Sequence, residues 1–211
     1  MTEPQHRKEL TDAEAVAAAL GLTAFTYADL SRRRYWRIAC GTRGQDWLDW
    51  VRHGVVTVGG GRRTRNLGGC TSADEIMKRL GKNEAGSGRR RTALSLWRFR
   101  TEMRPGDVVY ASNGRGIHGR GVVTSGCLYS RKTGIGEDHW NLRRVTWTHW
   151  SPFTAYEWSE WKLSGTLVDH AVRHCDEVMR LEQHYLAMPH DPPPDGRLEP
   201  LPARLYSAPG R

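Results

Sequence analysis

The stretch from Pro105 to Gly126, "PGDVVYASNGRGIHGRGVVTSG", constrains the fold more than any other part of the chain. Two runs of apolar and β-branched residues flank a glycine-rich segment, which is typical of two strands joined by a turn. Glycine inside a strand indicates a bend or a place where another backbone comes close, so Gly119 and Gly121 predict a sharply bent strand. The chain is therefore expected to build a curled sheet.

A phosphate-binding loop is the main alternative for the same segment. Its glycines fit neither the spacing GxxxxGK(S/T) nor a GxGxxG that opens a helix. The residues that follow, "VVTSG", favour a strand, so no helix N-terminus would be present to hold a phosphate. The spacing therefore favours the hairpin.

The other periodic stretches predict an alternation of helices and strands. Alternation in "YWRIAC" predicts a strand with Trp36, Ile38 and Cys40 on one face, and "DWLDWVRHG" predicts a helix between Asp46 and Gly54. Further strands are predicted in "VVTV", "DVVYAS", "HGRGVVTSG" and "RRVTWTHW", and further helices in "TDAEAVAAAL", "SADEIMKRLG", "TALSLWRFRTEM" and "GTLVDHAVRHCDEVMRLEQHYL".

Details of these helices can also be predicted. Ser72 is expected to cap the helix in "SADEIMKRLG" and Gly81 to end it. "KNEAGSGRRR" is expected to be a flexible basic connector, after which Leu94, Trp97 and Met103 would face the core from the next helix.

The order of elements indicates the fold class. Strands dominate the second half of the chain without regular β-α-β alternation, which favours an α+β domain on a curved or barrelled sheet over a doubly wound sheet. We expect this domain at residues 34–187, an N-terminal helical extension at 1–33 and a Pro-rich irregular tail at 188–211.

The charge balance points to a polyanionic partner. The chain carries 32 Lys and Arg against 23 Asp and Glu, a net charge of +9. Such a balance is typical of nucleic-acid binding, although a surface built for solubility would give the same sum. Nine tryptophans are more than a core of this size needs, so some of the rings are expected to stack on a ligand.

The sequence shows no catalytic or metal-binding set, so we expect neither an enzyme nor a cofactor or metal. His170 and His174 have the i, i+4 spacing of metal ligands, but no glutamate follows His170, and "GVVTSG" places Ser125 out of frame for a GxSxG elbow. Three further histidines could act as general bases but have no nucleophile or paired carboxylate nearby in the sequence: His118, His139 and His149.

Cysteine usage and hydropathy indicate a cytoplasmic protein. Cys40, Cys70, Cys127 and Cys175 form no CxxC pair, which favours reduced thiols over a zinc site or a disulfide framework. No stretch approaches the roughly 20 apolar residues of a membrane span, so no membrane partner is expected.

Arginines recur in glycine-rich segments, interleaved with Trp and Tyr. This pattern suits contacts to a nucleic-acid backbone beside stacking aromatic rings, whereas a solvated surface is the ordinary alternative. The arginines expected to contact the backbone are Arg62, Arg63, Arg65, Arg89, Arg90, Arg115, Arg120 and Arg143.

Several of these stretches together resemble the EVE domain family of the PUA-like superfamily, which is related to the YTH domains. They are "YWRIACG", "DWLDWVRHGVVTVGGG", "LWRF", "MRPGDVVYASNGRGIHGRGVVTSG" and "HWNLRRVTW". The resemblance extends from Arg34 to about Met188 and rests on the order and spacing of the motifs. It implies a PUA-like mixed, curved sheet or pseudo-barrel, flanked by helices, with a pocket for one extruded base.

The resemblance also implies a function. EVE domains occur in modification-dependent restriction proteins, so the expected ligand is methylated or otherwise modified cytosine or adenine, in DNA rather than RNA. The base would be read by flipping it into an aromatic pocket. An RNA-modification reader or RNA-processing factor on the same fold is the alternative, and a hydrolase acting on modified nucleic acid is a third. A separate nuclease or effector is a further partner that the resemblance suggests.

The resemblance assigns residues to this pocket. The turn of Cys40, Gly41 and Thr42 would contact the base edge, and Trp140 would close the aromatic cage. Ser112 and Asn113 would lie at the pocket end of the "GD" strand, and Trp47 near the rim. The tryptophans expected in the core are Trp36, Trp97, Trp147 and Trp158.

One motif departs from the family. EVE sequences usually read "GW" after the second strand, whereas this chain has Gly59, Gly60 and Gly61. If that ring forms a wall of the cage, this pocket either lacks one wall or uses Tyr129 or Trp47 in its place. The departure leaves the identity of the modified base open.

Overall fold

The computed structural model describes residues 33–41, 44–59, 69–81, 86–113, 116–129, 135, 141–150, 156–157, 167–169, 175–188 and 206–207. These residues form a mixed α+β structure with a curled, half-barrel sheet and four helices. The elements are β1 (Tyr35–Ala39), α1 (Trp47–His53), β2 (Val55–Val58), α2 (Ala73–Leu80), α3 (Gly86–Thr101), β3 (Val108–Ser112), β4 (Gly116–Val123), β5 (Leu128–Tyr129), β6 (Asn141–Trp150), β7 (Tyr156–Glu157), β8 (Leu167–Asp169), α4 (Cys175–Ala187) and β9 (Tyr206–Ser207).

The strands form one sheet in the order β8-β1-β3-β4-β6-β5-β9, with β2 on β6 and β7 on β4. β1 and β3 run parallel, from the pair Tyr35 and Val108 to the pair Ala39 and Ser112. Parallel strands end at the same edge of a sheet, so the residues that follow Ala39 and Ser112 meet there.

Gly119 and Gly121 allow the curl of the sheet, as the sequence predicts. A Cβ on Gly119 would lie 2.5 Å from the backbone oxygen of His149, and one on Gly121 would lie 2.4 Å from Cγ1 of Val145. The pairing of β4 with β6 shifts register between Arg120 and Gly121, which marks a bulge. Strand β4 can therefore pack closely against β6 at Gly119 and Gly121 because these residues have no side chain.

One face of the sheet packs a core that is rich in tryptophan. Trp36, Trp47, Trp50 and Trp147 are all buried there, as expected for Trp36 and Trp147. The buried indole N–H groups have partners: Trp36 donates to Asp107 Oδ2 at 2.8 Å and Trp147 donates to the backbone oxygen of Trp50 at 3.1 Å. These rings are therefore structural, which reduces the number that could stack on a ligand.

Helix α4 covers the opposite face of the sheet. Val178, Leu181 and Tyr185 of this helix pack against Tyr35 and Tyr110 of the strands. None of the described helices is both long enough and apolar enough to cross a bilayer.

The helix boundaries confirm some predictions and correct others. Gly54 ends α1 with a φ of 58°, and the hydroxyl of Ser72 caps α2 by accepting from the backbone N–H of Glu75 at 3.2 Å. Helix α3 begins at Gly86, so part of the predicted connector is helical. Leu94 is exposed, contrary to its prediction, because the buried stripe of α3 is Ala93, Leu96 and Phe99; Trp97 is half-buried, and Met103 is buried as expected.

The C-terminal predictions also need correction. Leu167–Asp169 was expected to belong to a helix but forms β8, which pairs with β1 and satisfies the backbone groups of its edge. Tyr206–Ser207, expected in an irregular tail, pairs with β5. The predicted N-terminal helix lies outside the described residues.

Candidate functional site

Four of the seven residues assigned to the pocket lie together where β1 and β3 end: Cys40, Gly41, Ser112 and Asn113. The backbone N–H of Cys40 donates to the backbone oxygen of Ser112 at 2.9 Å, and the thiol of Cys40 donates to the same oxygen at 3.2 Å. Gly41 follows Cys40 and Asn113 follows Ser112, so these residues lie next to one another although they are far apart in sequence. We call this region the β1–β3 end site. Thr42 and Trp140 lie outside the described residues.

The first side of the site is the turn between β1 and α1. Gly41 and Gly44 have φ angles of 78° and 82°, in the left-handed region that favours glycine. The backbone N–H of Asp46 donates to the oxygen of Cys40 at 3.1 Å, which draws the start of α1 against the end of β1. A Cβ on Gly41 would lie 2.5 Å from Asp46 Oδ2, so a larger residue would not fit there.

The second side of the site is the turn between β3 and β4. Asn113 accepts from the backbone N–H of Gly116 through Oδ1 at 3.0 Å, and its own N–H donates to the oxygen of Gly116 at 3.2 Å. These bonds fix the side chain of Asn113 beside the first turn, where a Cβ on Gly44 would lie 3.6 Å from Cβ of Asn113. The side chain of Ser112 is buried, so in this conformation Asn113 is the more accessible of the two.

His118 joins the two turns to the core. Its imidazole is stacked on the ring of Trp47, with centroids 5.8 Å apart and planes inclined by 30°. A Cβ on Gly44 would lie 2.7 Å from Nε2 of His118, so the imidazole lies directly beneath the first turn. Trp47 was expected near the rim, but it is buried with its edge against Trp147 at a centroid distance of 4.8 Å. His118 therefore takes the position between the turns and the core tryptophan.

His118 was not predicted to be a pocket residue, only a possible general base. No local sequence pattern connects residue 118 with residues 44 and 47. The one relevant signal is its place between the glycines of β4, which allow the close packing of Trp47 against this strand.

The thiol of Cys40 is not activated as a nucleophile. Burial raises the pKa of Cys40 to about 12, and the nearby charge of Asp46 adds to this effect, so the sulfur is a neutral thiol at physiological pH. Within the described ranges, no three His, Cys, Asp or Glu side chains are grouped so as to hold a metal ion. What remains is a set of backbone polar groups, an amide and a stacked imidazole.

Arg120 was expected to contact a nucleic-acid backbone, but its guanidinium is buried under α4. Nε and Nη2 donate to the two carboxylate oxygens of Glu182 at 2.7 and 2.6 Å, and Nη1 donates to the hydroxyl of Thr148 at 3.1 Å. Burial alone would lower the pKa of Arg120, but the hydrogen bonds and charge of Glu182 outweigh it and raise the pKa. Arg120 is thus part of the sheet-to-helix packing.

Arg143 is also buried rather than placed for backbone contact. Its Nε and Nη2 donate to the backbone oxygen of Phe99 at 2.8 and 2.6 Å, and Nη1 donates to that of Ser125 at 3.0 Å. Burial lowers the pKa of Arg143. The side chain ties β6 to the last turns of α3.

The remaining predicted arginines differ in how far the structure describes them. Arg89 is half-buried and donates from Nη1 to the backbone oxygen of Gly81 at 2.8 Å, whereas Arg90 is exposed on α3. The arginines that lie outside the described residues are Arg62, Arg63, Arg65 and Arg115.

Comparison with known proteins places the chain in a family. No curated protein matches its sequence. A family model described as "Domain of unknown function (DUF8426)" matches residues 36–164, which include β1 from Trp36 onward, β3, β4 and the whole of the β1–β3 end site. Because the match covers more than half of the chain, the protein belongs to the DUF8426 family.

Proposed function

We propose that the protein is a nucleic-acid-binding module with a PUA-like fold that recognises a modified base at the β1–β3 end site. The base is a methylated or otherwise modified cytosine or adenine, and DNA is the favoured carrier. The observation that carries this proposal is the convergence of Gly41, Gly44 and Asn113 above the stacked pair of His118 and Trp47.

The arrangement supplies the kinds of contact that a flipped base needs. A planar heterocycle is held by stacking on a ring and by hydrogen bonds to its edge. Gly41 and Gly44 bring the backbone of the first turn to the site, Asn113 adds an amide, and the buried imidazole of His118 supports the first turn from beneath. The ring that stacks on the base would be Trp140, which the EVE resemblance assigns to the cage. A buried methyl group contributes about 0.8 kcal/mol, which corresponds to roughly fourfold in affinity. Larger discrimination would come from the fit of the pocket and its hydrogen bonds.

The charge of the protein supports binding to a polyanion. Arg90 and Arg91 are exposed on α3, and Arg98 on the same helix is partly exposed. The net charge of the whole chain is +9. Phosphate contacts by such residues release counterions, so affinity should fall steeply with salt concentration, while the preference for a modification should change much less.

Fluorescence polarisation with short labelled oligonucleotides tests the proposal. The panel contains single- and double-stranded DNA with 5-methylcytosine, N6-methyladenine or no modification, and RNA of matched sequence. We expect tighter binding to one modified DNA than to its unmodified counterpart, and no cleavage or base release during the incubation. Equal affinity across the whole panel would refute the proposal, and a preference for RNA would replace DNA with RNA as the carrier.

Two substitutions test which residues are responsible for the preference for the modified base. His118→Gln keeps a polar side chain but removes the ring that stacks on Trp47, and Trp140→Ala removes the ring that the EVE resemblance assigns to the cage. Both variants are expected to lose the preference for the modified base while retaining the salt-dependent binding to unmodified DNA. Leu94→Ala, at an exposed position on α3, is the matched control. Folding of each variant is checked by circular dichroism.

A further inference from the structure

Helix α1 presents an exposed strip beside the β1–β3 end site. Leu48 and Arg52 lie four residues apart on one face of α1, and Gln45 lies in the turn just before the helix, three residues ahead of Leu48. All three are exposed, whereas Trp47, Trp50 and Val51 face the core. We call these three residues the α1 strip.

The strip is in contact with the candidate site. A Cβ on Gly41 would lie 2.7 Å from Cγ of Gln45, so the side chain of Gln45 packs over the first turn of the site. Leu48 lies one helical turn further along. Its exposed fraction is 53 %, compared with 40 % for Leu94, 44 % for Leu186 and 38 % for Met188, the other large exposed apolar side chains of the described chain.

The strip is also held rigidly. The backbone oxygen of Trp50 accepts from the indole of Trp147 at 3.1 Å, and the rings of Trp50 and Trp147 are stacked with centroids 6.4 Å apart. Helix α1 is therefore fixed to the core on its inner side, so a molecule that presses on its outer side would not displace the helix easily. A side chain that separates stacked base pairs needs such support.

We propose that Leu48 is the wedge that enters the DNA duplex when the modified base is extruded. Gln45 would face the base left without its partner, and Arg52 would face the adjacent phosphate. This inference rests on the proposed function, because it concerns how a duplex delivers the base to the β1–β3 end site.

The chemistry of each residue suits its role. An apolar side chain inserted between base steps replaces part of the lost stacking and kinks the duplex, as leucine does in other DNA-bending proteins. A glutamine amide can donate to and accept from the edge of an orphaned base. Arg52 pairs with Asp49 at 3.3 Å on the exposed side of α1, and an exposed pair of this kind is weak enough for a phosphate to replace the carboxylate.

A single exposed leucine is common on protein surfaces, so the position must be tested against that alternative. The test compares single- and double-stranded forms of the same modified DNA, because only the duplex requires a wedge. Leu48→Ala is expected to weaken binding to the modified duplex about tenfold and to leave binding to the modified single strand unchanged. Leu94→Ala, the matched exposed leucine, should change neither affinity.

A fluorescent base reports the extrusion directly. With 2-aminopurine placed beside the modified base, the wild-type protein should increase the fluorescence of the duplex, and Leu48→Ala should reduce that increase at saturating protein concentration. This second measurement separates loss of extrusion from loss of affinity alone.

The outcomes distinguish the two proposals. If the wild-type protein prefers modified DNA but Leu48→Ala leaves duplex binding unchanged, or weakens both forms equally, the wedge is refuted and the proposed function stands. Binding confined to single strands also refutes the wedge alone. If the wild-type protein prefers no modified oligonucleotide in either form, the proposed function fails and the wedge fails with it.

Discussion

Replacing Glu182 by glutamine tests how α4 is held on the sheet. The carboxylate of Glu182 accepts from Nε and Nη2 of Arg120 at 2.7 and 2.6 Å, and the hydroxyl of Tyr110 also donates to it. The side chains of Arg120 and Glu182 are 6 % and 1 % exposed, so water cannot replace either partner. Glu182→Gln keeps the shape of the side chain and removes its charge.

The size of the effect follows from the burial. Breaking a buried ion pair on one side costs about 3–5 kcal/mol, because the remaining charge is left without compensation. Glutamine still offers one oxygen to Arg120, so we expect a loss of about 3 kcal/mol, at the lower end of that range. For a chain of this length this corresponds to a fall in Tm of roughly 6–12 °C.

The assay is urea unfolding followed by tryptophan fluorescence, together with a thermal scan. The matched control is Glu102→Gln in the pair of Arg34 and Glu102, where Nη2 and Oε2 lie 2.9 Å apart but the side chains are 39 % and 35 % exposed. Exposed pairs contribute about 0–1 kcal/mol, so this control should be nearly neutral. Equal losses in the two variants would refute the view that the buried charge of Arg120 needs Glu182.

A triple variant separates the charge from the packing. Arg120→Met, Glu182→Met and Tyr110→Phe together remove the ion pair and the hydroxyl that donates to it. Because well-packed apolar residues can replace a buried ion pair at little cost, most of the lost stability should return. A triple variant less stable than Glu182→Gln would show instead that the network contributes through its geometry.

Three further predictions concern the sheet and the candidate site. Gly119→Ala should cost about 1–3 kcal/mol in the free energy of unfolding, because the new Cβ would lie 2.5 Å from the backbone oxygen of His149, whereas Gly126→Ala, with nothing within 4 Å, should be nearly neutral. The free energy of unfolding should fall as pH rises from about 9 towards 12. The pKa of Cys40 is raised to about 12 in the folded state, so above pH 9 the unfolded chain binds fewer protons than the native one. Cys40→Ala should therefore make the pH dependence of stability, measured by urea titrations, flatter. Asp107→Ala should lower the free energy of unfolding by about 1–3 kcal/mol, measured by urea titration. The buried indole N–H of Trp36, which donates to Oδ2 of Asp107 at 2.8 Å, would lose its acceptor.

The sequence predicts best where local signals decide the structure. The periodicity of "DWLDWVRHG" and its final glycine predict α1, and Ser72 and Gly81 predict both ends of α2, because capping depends on residues next to the helix. The close approach of the His149 backbone to Gly119 is predicted by the same kind of signal, because glycine inside a strand usually marks a bend or a closely packed neighbouring backbone.

The sequence predicts less well where a distant partner decides the structure. Leu167–Asp169 lies in a helical pattern, yet the open edge of β1 pairs with it as a strand. Arg120 and Arg143 lie in basic, glycine-rich stretches, yet their partners Glu182 and Phe99 are 62 and 44 residues away. Composition alone counts such arginines as surface charge, because it contains no information about long-range pairing.

The candidate site depends both on local turn signals and on a long-range contact in the core. Substitutions at its different residues should therefore affect binding and stability to different degrees. The two turns of the site are indicated by Gly41 and Asn113, but its floor depends on the contact of His118 in β4 with Trp47 in α1, which joins residues 71 positions apart in the sequence. The core tryptophans hold one face of the sheet and Glu182 holds α4 on the other, so fold stability does not depend mainly on the exposed residues of the site. Changes at Leu48 or Asn113 should therefore alter binding much more than unfolding, whereas changes at Trp47 should alter both.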